Sequence, residues 1–135
     1  MKLKIKYNRL SESIDVLDKL KLKGLKSIHR TRLSKILVDK LNEVAKEQVE
    51  LQKQYCDLDE EGNPIVGEDS IKDKEGYQKA MAEFVNEETV VDSGDSQVLL
   101  KSIKSSLEES DDEFSGREAY AYEHLYTAIE GNEEE

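Results

Sequence analysis

The sequence predicts a mainly α (α+β) protein: a helical bundle around one long helix, with a small two-stranded β element. Three observations predict it. Positions 37, 41, 44, 48, 51, 55 and 58 are Leu, Leu, Val, Gln, Leu, Tyr and Leu, an alternating 4,3 spacing that lines one face of a long helix. Tyr77, Ala80, Met81, Phe84 and Val85 fall at i, i+3, i+4, i+7 and i+8, the stripe of a second, core-facing helix. Leu3, Ile5 and Tyr7 alternate with Lys2, Lys4 and Lys6, the period of a half-buried strand whose lysines face water and discourage edge aggregation.

In chain order, the opening strand is followed by a short helix capped by Ser11 or Ser13. Leu10, Ile14, Val16, Leu17 and Leu20 form its apolar side, and Gly24 supplies a left-handed stop. The long helix is expected from about Ser27 to Leu58, about 45 Å at 1.5 Å per residue. A seam of that length needs an elongated partner, either a helix of the same chain or a second copy meeting the Leu37 to Leu58 face. Gln48 weakens the seam and helps fix its register. Asp59-Glu60-Glu61-Gly62-Asn63-Pro64 ends the helix in a turn, because Gly62 permits positive φ and Pro64 cannot continue the hydrogen-bond ladder. A third helix covers residues 73 to 88. Val90 and Val91 are expected to pair with residues 3 to 7, and Ser93-Gly94-Asp95-Ser96 to turn. Val98, Leu99, Ile103 and Leu107 suit a helix better than a strand. Ser115-Gly116-Arg117-Glu118 has the spacing of a capping box, so a last helix is expected from Gly116, with Tyr122, Leu125 and Ile129 as its apolar face and Gly131-Asn132 as its end. Residues 1–130 are expected to form one domain, with 131–135 an acidic C-terminal tail.

The chain has 135 residues, ordinary for one domain. Its charge is divided. Residues 1–50 hold 13 Lys and Arg against 7 Asp and Glu, and residues 51–135 hold 7 against 24, so a +6 segment precedes a −17 segment and the net charge is −11. Such polarity suggests that the two parts dock on each other, or that a partner meets one pole. Cys56 is the one cysteine, which excludes an internal disulfide and fits a reducing cytoplasm. No apolar run follows the basic first residues, so export by a signal peptide is not expected. No stretch approaches the roughly 20 apolar residues of a membrane span.

Several clusters invite chemical readings. Asp57, Asp59, Glu61 and Glu68 approach the spacing of a calcium loop, but Glu61 is too long for its place and Pro64 occupies a position that should donate an N–H. An acidic hairpin tip is the better reading. Lys26, His29, Arg30, Arg32 and Lys35 form the densest basic patch. Without aromatic residues to stack bases, it is not expected to bind nucleic acid directly. Asp59, Glu60 and Glu61, and Asp111, Asp112 and Glu113, are candidate carboxylate patches able to occupy a basic groove. Arg30, Arg32, Lys35 and these six acids are the candidate partner-binding residues. No catalytic, cofactor or metal set is predicted. Cys56 beside His29 or His124 is a conceivable dyad, but a buried thiol acting as a small apolar group fits better.

The opening Met-Lys-Leu-Lys-Ile, then Arg30-Thr31-Arg32 before Leu33-Ser-Lys-Ile-Leu, resemble a known small-protein family. Leu58-Asp-Glu-Glu-Gly-Asn, Phe84-Val-Asn-Glu-Glu, Leu99-Leu-Lys-Ser-Ile and Glu113-Phe-Ser-Gly-Arg-Glu-Ala-Tyr extend the resemblance over nearly the whole chain. The family, of unknown function, occurs in tailed phages and prophages of low-GC Gram-positive bacteria. The resemblance implies a phage or prophage protein made in the bacterial host cytoplasm, and carries over no functional residue. The expected function is non-catalytic binding of a phage or host protein, as a tail-module or virion-assembly accessory. The alternative is a stoichiometric anti-defence inhibitor that imitates nucleic acid with its acidic patches.

Overall fold

A computed structural model describes residues 1–92 and 94–130, without the side chains of Asp95 and Glu130. The chain runs β1 (Lys2–Lys6), α1 (Leu10–Lys19), α2 (Gly24–Tyr55), α3 (Lys74–Val85), β2 (Glu88–Val91), α4 (Gly94–Glu109), α5 (Arg117–Ala128) and β3 (Ile129–Glu130). Short 3-10 turns lie at Tyr7–Arg9 and Glu68–Ser70.

Strand β1 pairs antiparallel with β2, placing Leu3 opposite Val91 and Ile5 opposite Thr89. The alternation of the opening residues works as expected: Leu3 and Ile5 are buried while Lys6 is exposed. A third strand joins the other edge, Leu3 facing Ile129, so the sheet order is β2-β1-β3. The spacing of Tyr122, Leu125 and Ile129 predicts Ile129 on the last helix. That helix stops at Ala128, and Ile129 turns into the sheet, where it is fully buried.

The core lies between the sheet and four helices. Leu3 and Ile5, Leu10, Ile14 and Leu17 of α1, Leu33 and Leu37 of α2, Leu100, Ile103 and Leu107 of α4, and Leu125 of α5 form one buried cluster. Helix α1 has no side-chain cap. Ser13, expected as a cap, is buried inside the helix, and its Oγ donates to the Arg9 carbonyl at 2.8 Å. Gly24 has the positive φ expected of it, +59°, but it opens α2 instead of closing α1. Residues 97–107 are helical, and Gly94 to Ser96, expected in a turn, form the first residues of α4, while Ser93 lies outside the described residues. The Ser115–Glu118 box does not form. Gly116, with φ +56°, caps α5, the Ser115 carbonyl accepts from the Glu118 N–H at 3.1 Å, and the Glu118 carboxylate reaches Lys19 at 2.9 Å. The expected end at Gly131-Asn132 and the acidic tail 131–135 lie outside the described residues.

Beyond Val44, the last turns of α2 run past this core and pack on α3. Asp73 caps α3, accepting from the Gly76 N–H at 3.0 Å, and no residue of α3 is fully buried. Tyr77, Ala80, Met81, Phe84 and Val85 are all half-buried along α2, and Phe84 also meets the Tyr7 ring edge-on, with ring centroids 5.4 Å apart. The pair forms a two-helix arm. The seam expected from Leu37 to Leu58 therefore closes within the chain: Leu37 and Val44 are buried in the core, and Leu51 and Tyr55 are half-buried beside α3. It ends early, since α2 stops at Tyr55 and Leu58 is exposed in the tip loop.

Candidate functional site

The loop joining α2 to α3 is the tip of the arm. Two isolated bridges, Cys56 with Ile71 and Leu58 with Pro64, draw its strands together. Within it the Asp59 carboxylate accepts from the Glu61 and Asn63 N–H groups, each at 2.9 Å, and Gly62 takes φ +84°. Asp59 is thus spent on the turn. Its ordering leaves Glu60 and Glu61 pointing outward, exposed and without a side-chain partner among the described residues. Leu58, Ile65 and Val66 share the tip at 50%, 43% and 54% exposure. Sequence reasoning missed this apolar trio. The signal was present in Ile65-Val66, an apolar pair in a loop with no periodic partner.

The loop also answers the calcium spacing. Asp59 points to backbone N–H groups, Asp57 lies 3.8 Å from Lys72, and Glu68 lies 3.6 Å from Lys74. Among the described residues no three His, Cys, Asp or Glu side chains gather to hold a metal.

The other carboxylate patch, between α4 and α5, is turned against the chain's own basic segment. Asp112 accepts from the Ser110 hydroxyl at 3.0 Å and the Lys21 N–H at 3.4 Å, and the Glu113 carbonyl accepts from Lys19. Glu109 meets Lys26 at 2.6 Å. The hydrogen bond from Lys26, its charge and the Ser105 hydroxyl hold the Glu109 carboxyl below the ordinary carboxylate range. Asp111 is exposed. This patch and the tip lie at opposite ends of α2, about 44 Å apart from Lys26 to Tyr55, so they are not one continuous acidic row.

The predicted basic patch is likewise divided. Arg30 Nη1 donates to the Leu17 carbonyl at 3.1 Å and the Leu20 carbonyl at 2.7 Å, closing the C-terminal end of α1. Arg32 and Lys35 are exposed and unpaired among the described residues. Beside them Leu25, Ile28 and Ile36 also face water.

The conceivable thiol dyad is not assembled. Cys56 is buried beyond the end of α2, while His29 is buried near its start, about 40 Å away along the helix. His124 Nδ1 lies against Arg9 Nη1 and 3.0 Å from Glu12, tying α5 to α1. No described helix is long and apolar enough to cross a membrane.

A model of the family described as "Protein of unknown function (DUF1617)" matches residues 1–134. The chain belongs to the DUF1617 family. Neither a curated protein nor a solved structure matches it significantly. The DUF1617 fold leaves apolar side chains exposed beside charged ones at both ends of α2, Leu25 and Ile28 at its start and Leu58, Ile65 and Val66 in the arm tip.

Proposed function

We propose that this DUF1617 chain is a non-catalytic phage or prophage protein that acts by binding other proteins, as a tail-module or virion-assembly accessory in the host cytoplasm. The arm tip carries the binding reading. It sets three exposed apolar side chains, Leu58, Ile65 and Val66, beside the unpaired carboxylates Glu60 and Glu61. An ordered, projecting loop that keeps such residues in water costs solubility and gains nothing for the core, so a partner surface is the physical account of it. The phage setting is supported by the sequence resemblance over nearly the whole chain.

The test is an affinity pull-down from infected host lysate, washed at two salt concentrations, with wild type beside an Ile65→Asp, Val66→Asp variant. Phage tail or capsid proteins recovered by the wild type and lost by the variant support the assembly role. Normal virions from a phage lacking the gene overturn it.

A second reading keeps the same tip. Glu60 and Glu61 are free to enter a basic groove, which favours inhibition of a host nucleic-acid enzyme by an acidic mimic. It predicts a host nuclease or defence protein released by higher salt, with inhibition abolished by Glu60→Lys, Glu61→Lys. Inhibition unchanged in that variant rejects the mimic.

A further inference from the structure

We propose that Arg9, Glu12 and His124 form a proton-operated latch: the neutral imidazole ties α5 to the Tyr7–Arg9 turn through Arg9, and the protonated imidazole ties α5 to α1 through Glu12. The latch lies apart from the arm tip and does not depend on partner binding there.

The side chains meet where α5 packs against the start of α1. His124 Nδ1 is in hydrogen-bond contact with Arg9 Nη1 and stands 3.0 Å from Glu12 Oε2, while Arg9 Nη1 reaches the same Glu12 oxygen at 3.3 Å. One ring nitrogen therefore faces two neighbours of opposite kind. A guanidinium only donates and is not deprotonated in proteins, a carboxylate only accepts, and an imidazole nitrogen does one or the other according to whether it carries a hydrogen. With Nδ1 bare, the bond from Arg9 forms and the Glu12 oxygen meets a lone pair. With Nδ1 protonated, the bond to Glu12 forms and the Arg9 N–H meets another N–H. Neither state of the nitrogen satisfies both neighbours, so the charge of the ring selects the partner.

The ring is open to solvent protons, since the His124 and Glu12 side chains are each 35% exposed, and histidine is the side chain that ordinarily titrates between about pH 5 and 8. Its other charged neighbours line a cleft of about 300 Å³ together with Arg9: Lys4 and Lys6 of β1, Glu88 of β2 and Glu123 of α5 itself. Counting Glu12, three cations there stand against three carboxylates. Asp15 of α1 and Arg117 and Glu118 of α5 line the neighbouring cleft, which Glu12 also borders. The charged residue of β3 is Glu130, whose side chain lies outside the described residues. With that surround balanced, Arg9 and Glu12, the groups in contact with the ring, decide how each form is held.

The exchange matters because the Tyr7–Arg9 turn is also the seat of the arm's root. Tyr7 packs edge-on against Phe84 of α3, its N–H donates to the Glu87 carbonyl at 2.8 Å, and the Lys40 ammonium lies over its ring. Arg9 thus links α5 to that seat while His124 is neutral, and protonation breaks the link.

The experiment has two parts, the first on the unaltered chain, so it decides whether or not a variant folds. Imidazole ¹⁵N shifts of the full chain are followed from about pH 8 to about pH 5. Nδ1 is expected to be bare at the upper pH and to gain its hydrogen at the lower, with the Arg9 side-chain resonances moving at the same midpoint. Double-mutant cycles by urea unfolding, built from Arg9→Ala, Glu12→Ala and His124→Ala, then read each coupling at both pH values. Near pH 8, Arg9 and His124 are expected to be coupled favourably by about two- to fivefold in the unfolding constant, and Glu12 and His124 not to be. Near pH 5 the favourable coupling is expected between Glu12 and His124, and that between Arg9 and His124 turns unfavourable. A hydrogen on Nδ1 at the upper pH, Arg9 resonances indifferent to the ring's titration, or an Arg9–His124 coupling that is absent at the upper pH or the same at both overturns the latch.

Discussion

At the scale of the residue, Arg30 shows how position in space overrides kind. It stands with Arg32 and Lys35 in one basic run, yet its guanidinium bonds two carbonyls at the end of α1 while Arg32 faces water. Local spacing cannot show this, because the acceptors lie 13 and 10 residues earlier and depend on how α1 crosses α2. Hydrogen bonds from a charged donor are worth about 1.5–3 kcal/mol. Arg30→Ala is therefore expected to cost about 2–3 kcal/mol and lower Tm by about 5–10 °C. Arg32→Ala, on an open face, should stay within about 0.5 kcal/mol of wild type. Thermal unfolding by circular dichroism checks both, and equal losses would remove the capping role. Asp59 makes the same point at the tip, since two backbone N–H groups claim a carboxylate that looks no different from Glu60 in the sequence.

At the scale of the element, most of the fold was legible where apolar periodicity was long. The opening strand, the long helix, the stripe of α3 and the pairing with Val90 and Val91 all follow from side-chain spacing that one buried face imposes. Element ends were less legible, because several signals compete at each. Ser115 lost its capping role because Gly116 takes a positive φ and Glu118 turns to Lys19, a residue on another helix. Strand β3 was hidden because two residues are too few to show a period. The arm should be the looser part of the protein, since α3 buries none of its side chains completely. Asp73→Ala removes its cap at a cost of about 1 kcal/mol. Faster amide exchange in α3 and the last turns of α2, with β1 and α1 unchanged, is the expected result; uniform acceleration would show that arm and core open together.

A second element-scale prediction concerns the contact between α4 and α5. The Tyr122 hydroxyl donates to the Leu107 carbonyl, and the Tyr126 hydroxyl donates to Glu108 at 2.6 Å. Burial and then the Glu108 charge push the Tyr122 hydroxyl above its ordinary value of 10.0, and the hydrogen bond to Glu108 leads the rise at Tyr126. A raised folded value favours the protonated phenol, so this stability is complete below about pH 10 and is lost as pH climbs through the folded values. Tyr122→Phe is expected to cost about 1 kcal/mol at pH 8. The gap to wild type should narrow above pH 10, as followed by urea unfolding across pH 8–11. A constant gap would deny the hydroxyl its part.

At the scale of the whole molecule, the divided charge is partly folded back on itself. Lys19 meets Glu118, Lys26 meets Glu109, and the Lys21 N–H meets Asp112, so the basic start of the chain holds the α4–α5 loop. The sequence showed that the poles exist; which acids answer which lysines needed the fold, because the partners lie more than 80 residues apart. These pairs are exposed, and such pairs contribute about 0.2–1 kcal/mol each. Against them stands the mutual repulsion of a net −11, which acts over the whole surface and is screened beyond about 10 Å at 0.1 M salt. Repulsion over many long distances loses more to screening than a few close contacts do. Raising salt from about 0.02 to 0.2 M should therefore raise Tm by a few degrees, and a fall would mean that the pairs between the poles dominate. Acid separates the two effects. The lowered Glu109 value makes its contribution full above about pH 4.5 and lost as pH falls through the folded value. Glu109→Gln should therefore be less stable than wild type at pH 7 and converge with it as pH falls below 4.5, whereas a difference that persists in acid would assign the residue a packing role rather than an electrostatic one.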